Sequence, residues 1–307
     1  MDTKRKAILY ALAACLIWGT VYVAIKVGLN HGMKPLTFAG VRFLAGGLIL
    51  LAITLANVNR RKHLNGAPGV SRPTKDKPAF TWKDFRVLAL FGLFQTGIQN
   101  ALFFTGVKLT NAGLASIFIN TQPFFVILMA PLFFKDSKIT PLRLLGTVIG
   151  FGGVAYTAAG EGIAADGRGL GILILVVSAI TWGGCNIAAK KLMYGRDVVT
   201  VTGVQMAAGA VPLLIAGIIF EGGFMAGVDS TGWMTLAYLV VFATSIPFYL
   251  WFKALDTGEI GSVSVFSFTL PVLGVLSGCL LLGESASANI LIGMGLVAGG
   301  IIAVNVR

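Results

Sequence analysis

The chain has 307 residues, 56% of them hydrophobic and only 12% charged, with a mean hydropathy of +0.86. Soluble domains carry about 25% charged residues, so this composition excludes a water-facing globular surface and implies a chain embedded in a bilayer. The net charge of +12 would suit a nucleic-acid partner in a soluble protein; here the basic residues sit in the joints between apolar runs, and no nucleic-acid partner is expected.

A membrane-spanning helix needs ~20 mostly apolar residues. Ten such segments follow one another, at about 7–29, 35–57, 85–107, 110–134, 142–160, 169–190, 198–220, 231–253, 260–282 and 287–306. Backbone groups in hydrocarbon must be satisfied internally, so these segments are helices. The first follows Lys4, Arg5 and Lys6, the outline of a signal peptide. Its apolar stretch is too long for a signal core and its pattern returns mid-chain, so it is read as a span. The second carries Arg42 and leads into the basic loop 58–84. Gln95, Thr96, Gln99 and Asn100 mark the third; Asn120, Thr121 and Gln122 precede Pro123 in the fourth. Thr244, Ser245, Pro247 and Tyr249 lie in the eighth, and Ser262, Ser264, Ser267 and Thr269 precede Pro271 in the ninth. Gly146, Gly150 and Gly153 of the fifth, with Gly295 and Gly299 of the tenth, have the small-residue spacing of packed membrane helices.

With the N-terminus in the cytoplasm, one side collects Lys4–Lys6, the 58–84 loop, Lys135, Lys138, Arg143, Lys190, Lys191, Arg196, Lys253 and Arg307. The other side receives only Lys26, Lys34, Lys108 and Arg168. The positive-inside rule therefore predicts both termini in the cytoplasm of an inner-membrane, multi-pass protein.

An internal repeat runs through the chain. Trp18, Gly19 and Lys26 match Trp182, Gly183 and Lys190 at an offset of 164, and Arg42 and Gly46 match Gln205 and Gly209 at 163. Phe104, Gly113, Ser116 and Pro123 match Phe252, Gly261, Ser264 and Pro271 at 148. Loss of the long basic loop from the second copy accounts for the drop. Five helices per copy is an odd number, so the second copy enters the membrane from the opposite side. The expected fold is an all-α membrane protein of ten transmembrane helices, two inverted five-helix repeats at 7–160 and 169–306. Inverted repeats are the architecture of many secondary transporters, with the substrate near the midplane between halves. A small-molecule substrate and the lipid bilayer are the expected partners.

Trp18, Tyr22 and Lys26 share one helix face, as do Trp182, Asn186 and Lys190. These, with Gln95, Gln99, Asn100, Asn120 and Tyr249, are the candidate substrate-binding residues. Lys26, Arg42 and Lys190 are the charged candidates for the pathway, although each lysine also suits snorkelling to its own interface. Arg42 has no carboxylate within any span, which leaves backbone carbonyls or a substrate carboxylate as partners. Pro123 and Pro271 are candidate hinges. Cys15, Cys185 and Cys279 lie in apolar runs without a CxxC pair and read as core residues. There is no HExxH and no phosphate-binding Gly-Lys-Ser/Thr loop, so neither enzymatic activity nor a cofactor or metal is expected. Acidic residues such as Glu161, Glu221, Asp256, Glu259 and Glu284 fall at span ends, which points to facilitated export or exchange in place of tight proton coupling.

The Trp-Gly…Lys runs at 18–26 and 182–190, Arg42-Phe43, and the prolines at 123 and 271 together resemble the drug/metabolite transporter superfamily, in its EamA-like ten-helix branch. The resemblance covers essentially the whole chain. It implies a central cavity lined by spans 1, 3, 4, 6, 8 and 9, alternating access, and frequent export of amino acids or related metabolites. A zwitterion or carboxylate with an apolar or aromatic part is the expected substrate; a lipid scramblase or flippase and a broad drug efflux protein are the alternatives. The departure from the motif at Gln205-Met206 confines any role of the arginine to the first half.

Overall fold

A computed structural model describes residues 3–65, 81–133, 140–160, 168–193, 196–222, 225–257, 266 and 269–305. The centre of the basic loop, Ser262, Ser264, Ser267 and the Lys190 side chain lie outside the described residues. Within them the chain is helical, with no strand. Eight helices are long and apolar enough to cross a membrane: Arg5–Asn30, Pro35–Ala56, Trp82–Leu109, Ala112–Phe133, Pro141–Gly160, Arg168–Ala189, Val198–Glu221 and Ser230–Trp251. Two shorter apolar helices follow, Thr269–Leu282 and Ala288–Ala303. In chain order these ten are called spans one to ten. The helix of span two continues to Asn65, past the predicted end at 57, because arginine and lysine are good helix formers and only hydropathy ends at the loop.

Local sequence sets the starts. Thr81 and Asp84 form a capping box at the head of span three, Thr81 Oγ1 accepting from Asp84 N and Asp84 Oδ2 from Thr81 N. Asn111, Asp197 and Asp229 cap spans four, seven and eight through the backbone N–H three residues on.

The spans pack in a pattern that treats the two halves alike. Span two lies along span seven, span five along span ten, and span four against span nine; span one meets eight as span three meets six. Small residues make the close approaches. A Cβ on Gly153 would sit 2.6 Å from Leu296 Cβ, and one on Gly300 the same distance from Gly146 O. Gly295 and Gly299, expected to serve here, meet nothing within 4 Å; the packing face of span ten is carried by Gly293 and Gly300 instead, because two residues of helix turn Gly295 about 200° away from Gly293.

One face of the bundle, opposite the N-terminus, is clasped by polar contacts between the halves. Glu221, at the end of span seven, accepts from Leu36 N at 2.8 Å and Thr37 N at 2.9 Å at the head of span two. Glu284 accepts from Ala112 N at 2.8 Å and Gly113 N at 3.0 Å at the head of span four. Both carboxylates therefore sit on helix N-termini, where the peptide dipoles favour negative charge. Lys34 Nζ donates to Glu221 O, and His31 Nδ1 lies 2.7 Å from Asp229 Oδ2. On the N-terminal face the described contacts between halves are sparser: Arg196 Nη2 donates to Asp84 Oδ1 at 2.7 Å.

Candidate functional site

The site grows out of defects in the helices. Pro247 has no N–H, so the carbonyl four residues back, Ala243 O, loses its helical donor. Span eight widens there into a π-helical turn, Val241–Ser245. Side chains repair the ladder: Thr244 Oγ1 donates to Leu239 O at 2.8 Å and Ser245 Oγ to Val240 O at 3.1 Å. Arg42 of span two completes the repair, donating Nη2 to Ala243 O at 3.0 Å and Nε to Thr244 Oγ1 at 2.7 Å. Its side chain is buried, with the guanidinium 5.0 Å from the Phe43 ring centroid and 5.7 Å from that of Phe104. A buried cation needs such hydrogen bonds and ring faces in place of water; no carboxylate is bonded to it among the described residues.

Span three repeats the device. Its π-helical turn is Leu93–Ile98, and the carbonyl of Gln95 is taken by Asn100 Nδ2 at 3.1 Å. Thr96 stands 148 residues before Thr244, and Gln205 stands 163 after Arg42. Thr96 Oγ1 donates to Gln205 Oε1 at 2.9 Å. The Arg42–Thr244 and Gln205–Thr96 bonds are thus one contact made twice with the halves exchanged. Close backbone approach makes it feasible: a Cβ on Gly209 would stand 2.6 Å from Gly92 C and 2.7 Å from Thr96 Cβ, and a Cβ on Gly46 2.8 Å from Thr244 Cγ2.

Between these crossings lie two adjoining lobes of one cavity that share part of their lining. Trp18, Gln95, Trp182, Gln205 and Phe248 line both. The inner lobe adds Tyr22, Arg42, Phe43, Gln99, Asn100 and Phe103. The outer lobe adds Phe91, Gln122, Asn186, Ala189 and Trp251, all displaced along their spans toward the N-terminal face. Trp18 anchors the aromatic wall, its ring 5.2 Å from Phe248 and 5.5 Å from Trp251.

Of the residues singled out from sequence, Trp18, Tyr22, Arg42, Gln95, Gln99, Asn100 and Trp182 meet around the inner lobe, and Asn186 lines the outer one. Asn120 stands one layer back, buried at the break of span four, where its Nδ2 donates to Tyr22 Oη at 2.8 Å and to Ser116 O at 2.7 Å. Tyr249 does not join them. It is 44% exposed on the outside of span eight, because one residue of helix rotates the side chain by about 100° and Phe248 takes the inward place. Lys26 is likewise outside the lining: its Nζ donates to Val107 O, Lys108 O and Thr110 O, closing the C-terminal end of span three, where cations suit the helix dipole. Pro123 is the second residue of the helix Gln122–Phe133, just after the Asn120–Thr121 break. Pro271 is buried near the start of Thr269–Leu282 and accepts a 3.3 Å bond at its carbonyl from Ser116 Oγ.

Phe43, Phe103, Phe248, Trp251 and Gln205 were not singled out as lining residues. The phenylalanines carry no signal of their own among 21 in the chain, nor does Trp251, which lies outside the repeated motifs. Gln205 had one, as the repeat partner of Arg42. Spans two and seven therefore contribute to the lining, beyond the six spans the resemblance implied. Among the described residues there is no cluster of three or more His, Cys, Asp or Glu side chains that would hold a metal.

The profile of the EamA-like transporter family matches residues 5–159 and again 169–306. The chain belongs to that family. The EamA-like protein is 27% identical to an uncharacterized transporter, YoaV, of Bacillus subtilis, over 96% of this chain and 95% of the relative. It is also 27% identical to a probable amino-acid metabolite efflux pump of Salmonella typhimurium, over 97% and 94% of the two chains. A solved crystal structure at 20% identity superposes with a TM-score of 0.68, covering 98% of this chain and 96% of that one, which shows a shared fold. The protein is thus a multi-pass membrane transporter with two EamA repeats.

Proposed function

We propose that this EamA-like protein carries an amino acid or related carboxylate-bearing metabolite with an apolar or aromatic part across the inner membrane by alternating access. The observation that carries the reading is Arg42: a buried guanidinium in the wall of an aromatic cavity, with no acidic side chain bonded to it among the described residues. Nε and Nη2 are bound to span eight, whereas Nη1 makes none of the described bonds and is left for a ligand oxygen. A substrate carboxylate supplies the missing negative charge, and the Trp18, Phe103, Trp182 and Phe248 rings receive the apolar part.

In this reading ten helices span the bilayer as inverted repeats with both termini in the cytoplasm, and the substrate sits where the two halves cross. The outer lobe then extends toward the cytoplasm and the Glu221 and Glu284 clasp closes the opposite face, so the conformation is one that loads from inside. Exchange or facilitated export is supported, among the described residues, by Glu221 and Glu284, whose carboxylates are taken by helix N-termini. Spans four and nine, with Pro123 and Pro271, are the elements assigned the rocking motion; Lys26 is assigned to the helix end it closes.

The test is counterflow of radiolabelled amino acids in proteoliposomes, wild type beside Trp182→Ala, Arg42→Gln and Tyr249→Ala. Loss in the first two with Tyr249→Ala unchanged is the expected result. Transport indifferent to Trp182→Ala and Arg42→Gln would remove the cavity from the pathway, and accumulation that needs a pH gradient and collapses with an ionophore would replace exchange by proton coupling.

A further inference from the structure

Gln95 stands apart from every other polar group of the cavity. It is nine-tenths buried, lines both lobes, and its Oε1 is the one buried side-chain oxygen or nitrogen among the described residues without a hydrogen-bond partner. An amide oxygen left unpaired in a low-dielectric site bears its desolvation cost without return, so its presence there calls for a partner that arrives from elsewhere. Four neighbouring polar side chains of spans three and six direct a donor elsewhere. Thr96 gives its hydroxyl to Gln205, Gln99 its Nε2 to Ser178 Oγ at 3.1 Å, Asn100 its Nδ2 to the backbone carbonyl of Gln95 itself, and Asn186 its Nδ2 to Gln122.

The repeat sharpens the point. The residue equivalent to Gln95 in span eight is Ala243, 148 positions on, and Ala243 contributes to the centre only through a carbonyl that Arg42 has taken. The first half therefore supplies both a fixed donor, Arg42, and an unmet acceptor, Gln95 Oε1, and the second half supplies neither. A ligand that meets both has an acceptor group for the guanidinium and an N–H donor for the amide oxygen.

We propose that Gln95 is the specificity-determining residue for the substrate's ammonium group, accepting a hydrogen bond from it while Arg42 binds the carboxylate. This assignment rests on the reading of the cavity as the site of a carboxylate-bearing metabolite. It makes the protein select zwitterionic amino acids over the corresponding acids that lack the amine.

The experiment compares matched pairs, phenylalanine with 3-phenylpropionate and leucine with 4-methylpentanoate, by quenching of intrinsic tryptophan fluorescence, since Trp18 and Trp182 line the site. Full-length wild type, Gln95→Met and Gln95→Glu are measured in the same detergent. The wild type is expected to bind an amino acid about tenfold more tightly than its deaminated partner. Gln95→Met is expected to erase that preference by weakening the amino acid alone, and Gln95→Glu to enlarge it, since a carboxylate attracts an ammonium more strongly than an amide does. Equal binding of both members by the wild type, or a preference that survives in Gln95→Met, overturns the role of Gln95 and leaves the carboxylate reading standing. Equal weakening of both members in Gln95→Met also overturns it, as the mark of a residue that only shapes the helix. Failure of all four compounds to bind the wild type overturns the carboxylate reading and this assignment with it.

Discussion

The two halves of this protein share a scaffold and differ in chemistry. Each has a π-helical turn in its third span, Leu93–Ile98 and Val241–Ser245. In each, the second span reaches a threonine on that turn in the other half, and in each a glycine on the second span, Gly46 or Gly209, lets the backbones approach. Yet the first half brings Arg42 and Gln95 to the centre where the second brings Gln205 and Ala243. A symmetric frame suits a mechanism in which each half in turn takes the other's shape; a small ligand with two different ends needs a site that is not symmetric. In the proposed reading the repeat supplies the first property, and differences such as Arg42 against Gln205 and Gln95 against Ala243 supply the second.

Breaking the asymmetry at Arg42 should have the largest effect. Arg42→Gln, which gives both halves the same residue, is expected to lower carboxylate counterflow about a hundredfold, the scale of a lost buried charge contact. Gln205→Ala, on the other half, should lower it about tenfold or less. Equal losses would mean that the two positions do the same work.

The shared frame is tested next. Gly209→Ala places a methyl group against span three and should cost about 1–3 kcal/mol of stability, read as a lower melting temperature in detergent. Gly295→Ala, whose added methyl meets open space, should stay within about 0.5 kcal/mol of wild type.

The clasped face yields a smaller effect. Glu284→Gln keeps an oxygen near Ala112 N and Gly113 N but removes the charge, at about 1 kcal/mol or less. Cysteine accessibility within the cavity from that face should rise with it, and unchanged accessibility would show that the clasp does not hold the bundle shut.

Smallest of all is the rim pair. The carboxyl of Asp229 is held below the usual carboxylate range, first by the N–H of Gly232 and then by His31. A depressed folded value means the contribution is present above the ordinary value of about 3.9 and fades as pH falls through the lower folded one. Melting temperature should therefore drop on acidification in that window, and Asp229→Asn should flatten that part of the curve.

Much of this was legible in the residues, unevenly. Trp18, Trp182 and Gln95 stand out in the sequence because polar or amphipathic side chains in hydrocarbon are costly, and the fold brings them to one cavity. Arg42 was visible for the same reason, but its partners were not: Ala243 and Thr244 lie some 200 positions away and matter only because Pro247 frees a carbonyl. Lys26 and Tyr249 stand away from the cavity lining for a reason of the same kind. Face-sharing along one helix does not say what stands opposite, and Lys26 found the end of span three before it found the cavity. Ser262, Ser264, Ser267 and the Lys190 side chain lie outside the described residues.

Composition, hydropathy and the repeat offsets determined by themselves that this is a membrane protein built from two like halves, because hydrocarbon tolerates only helices long enough to cross it and a duplication leaves its period in the chain. Tertiary structure decided which face of each helix turns inward, which glycines touch, and that Arg42 and Gln205 occupy equivalent places around one cavity. Those outcomes depend on crossings between residues far apart in sequence, and on a widened helical turn that shifts the register of every side chain beyond it.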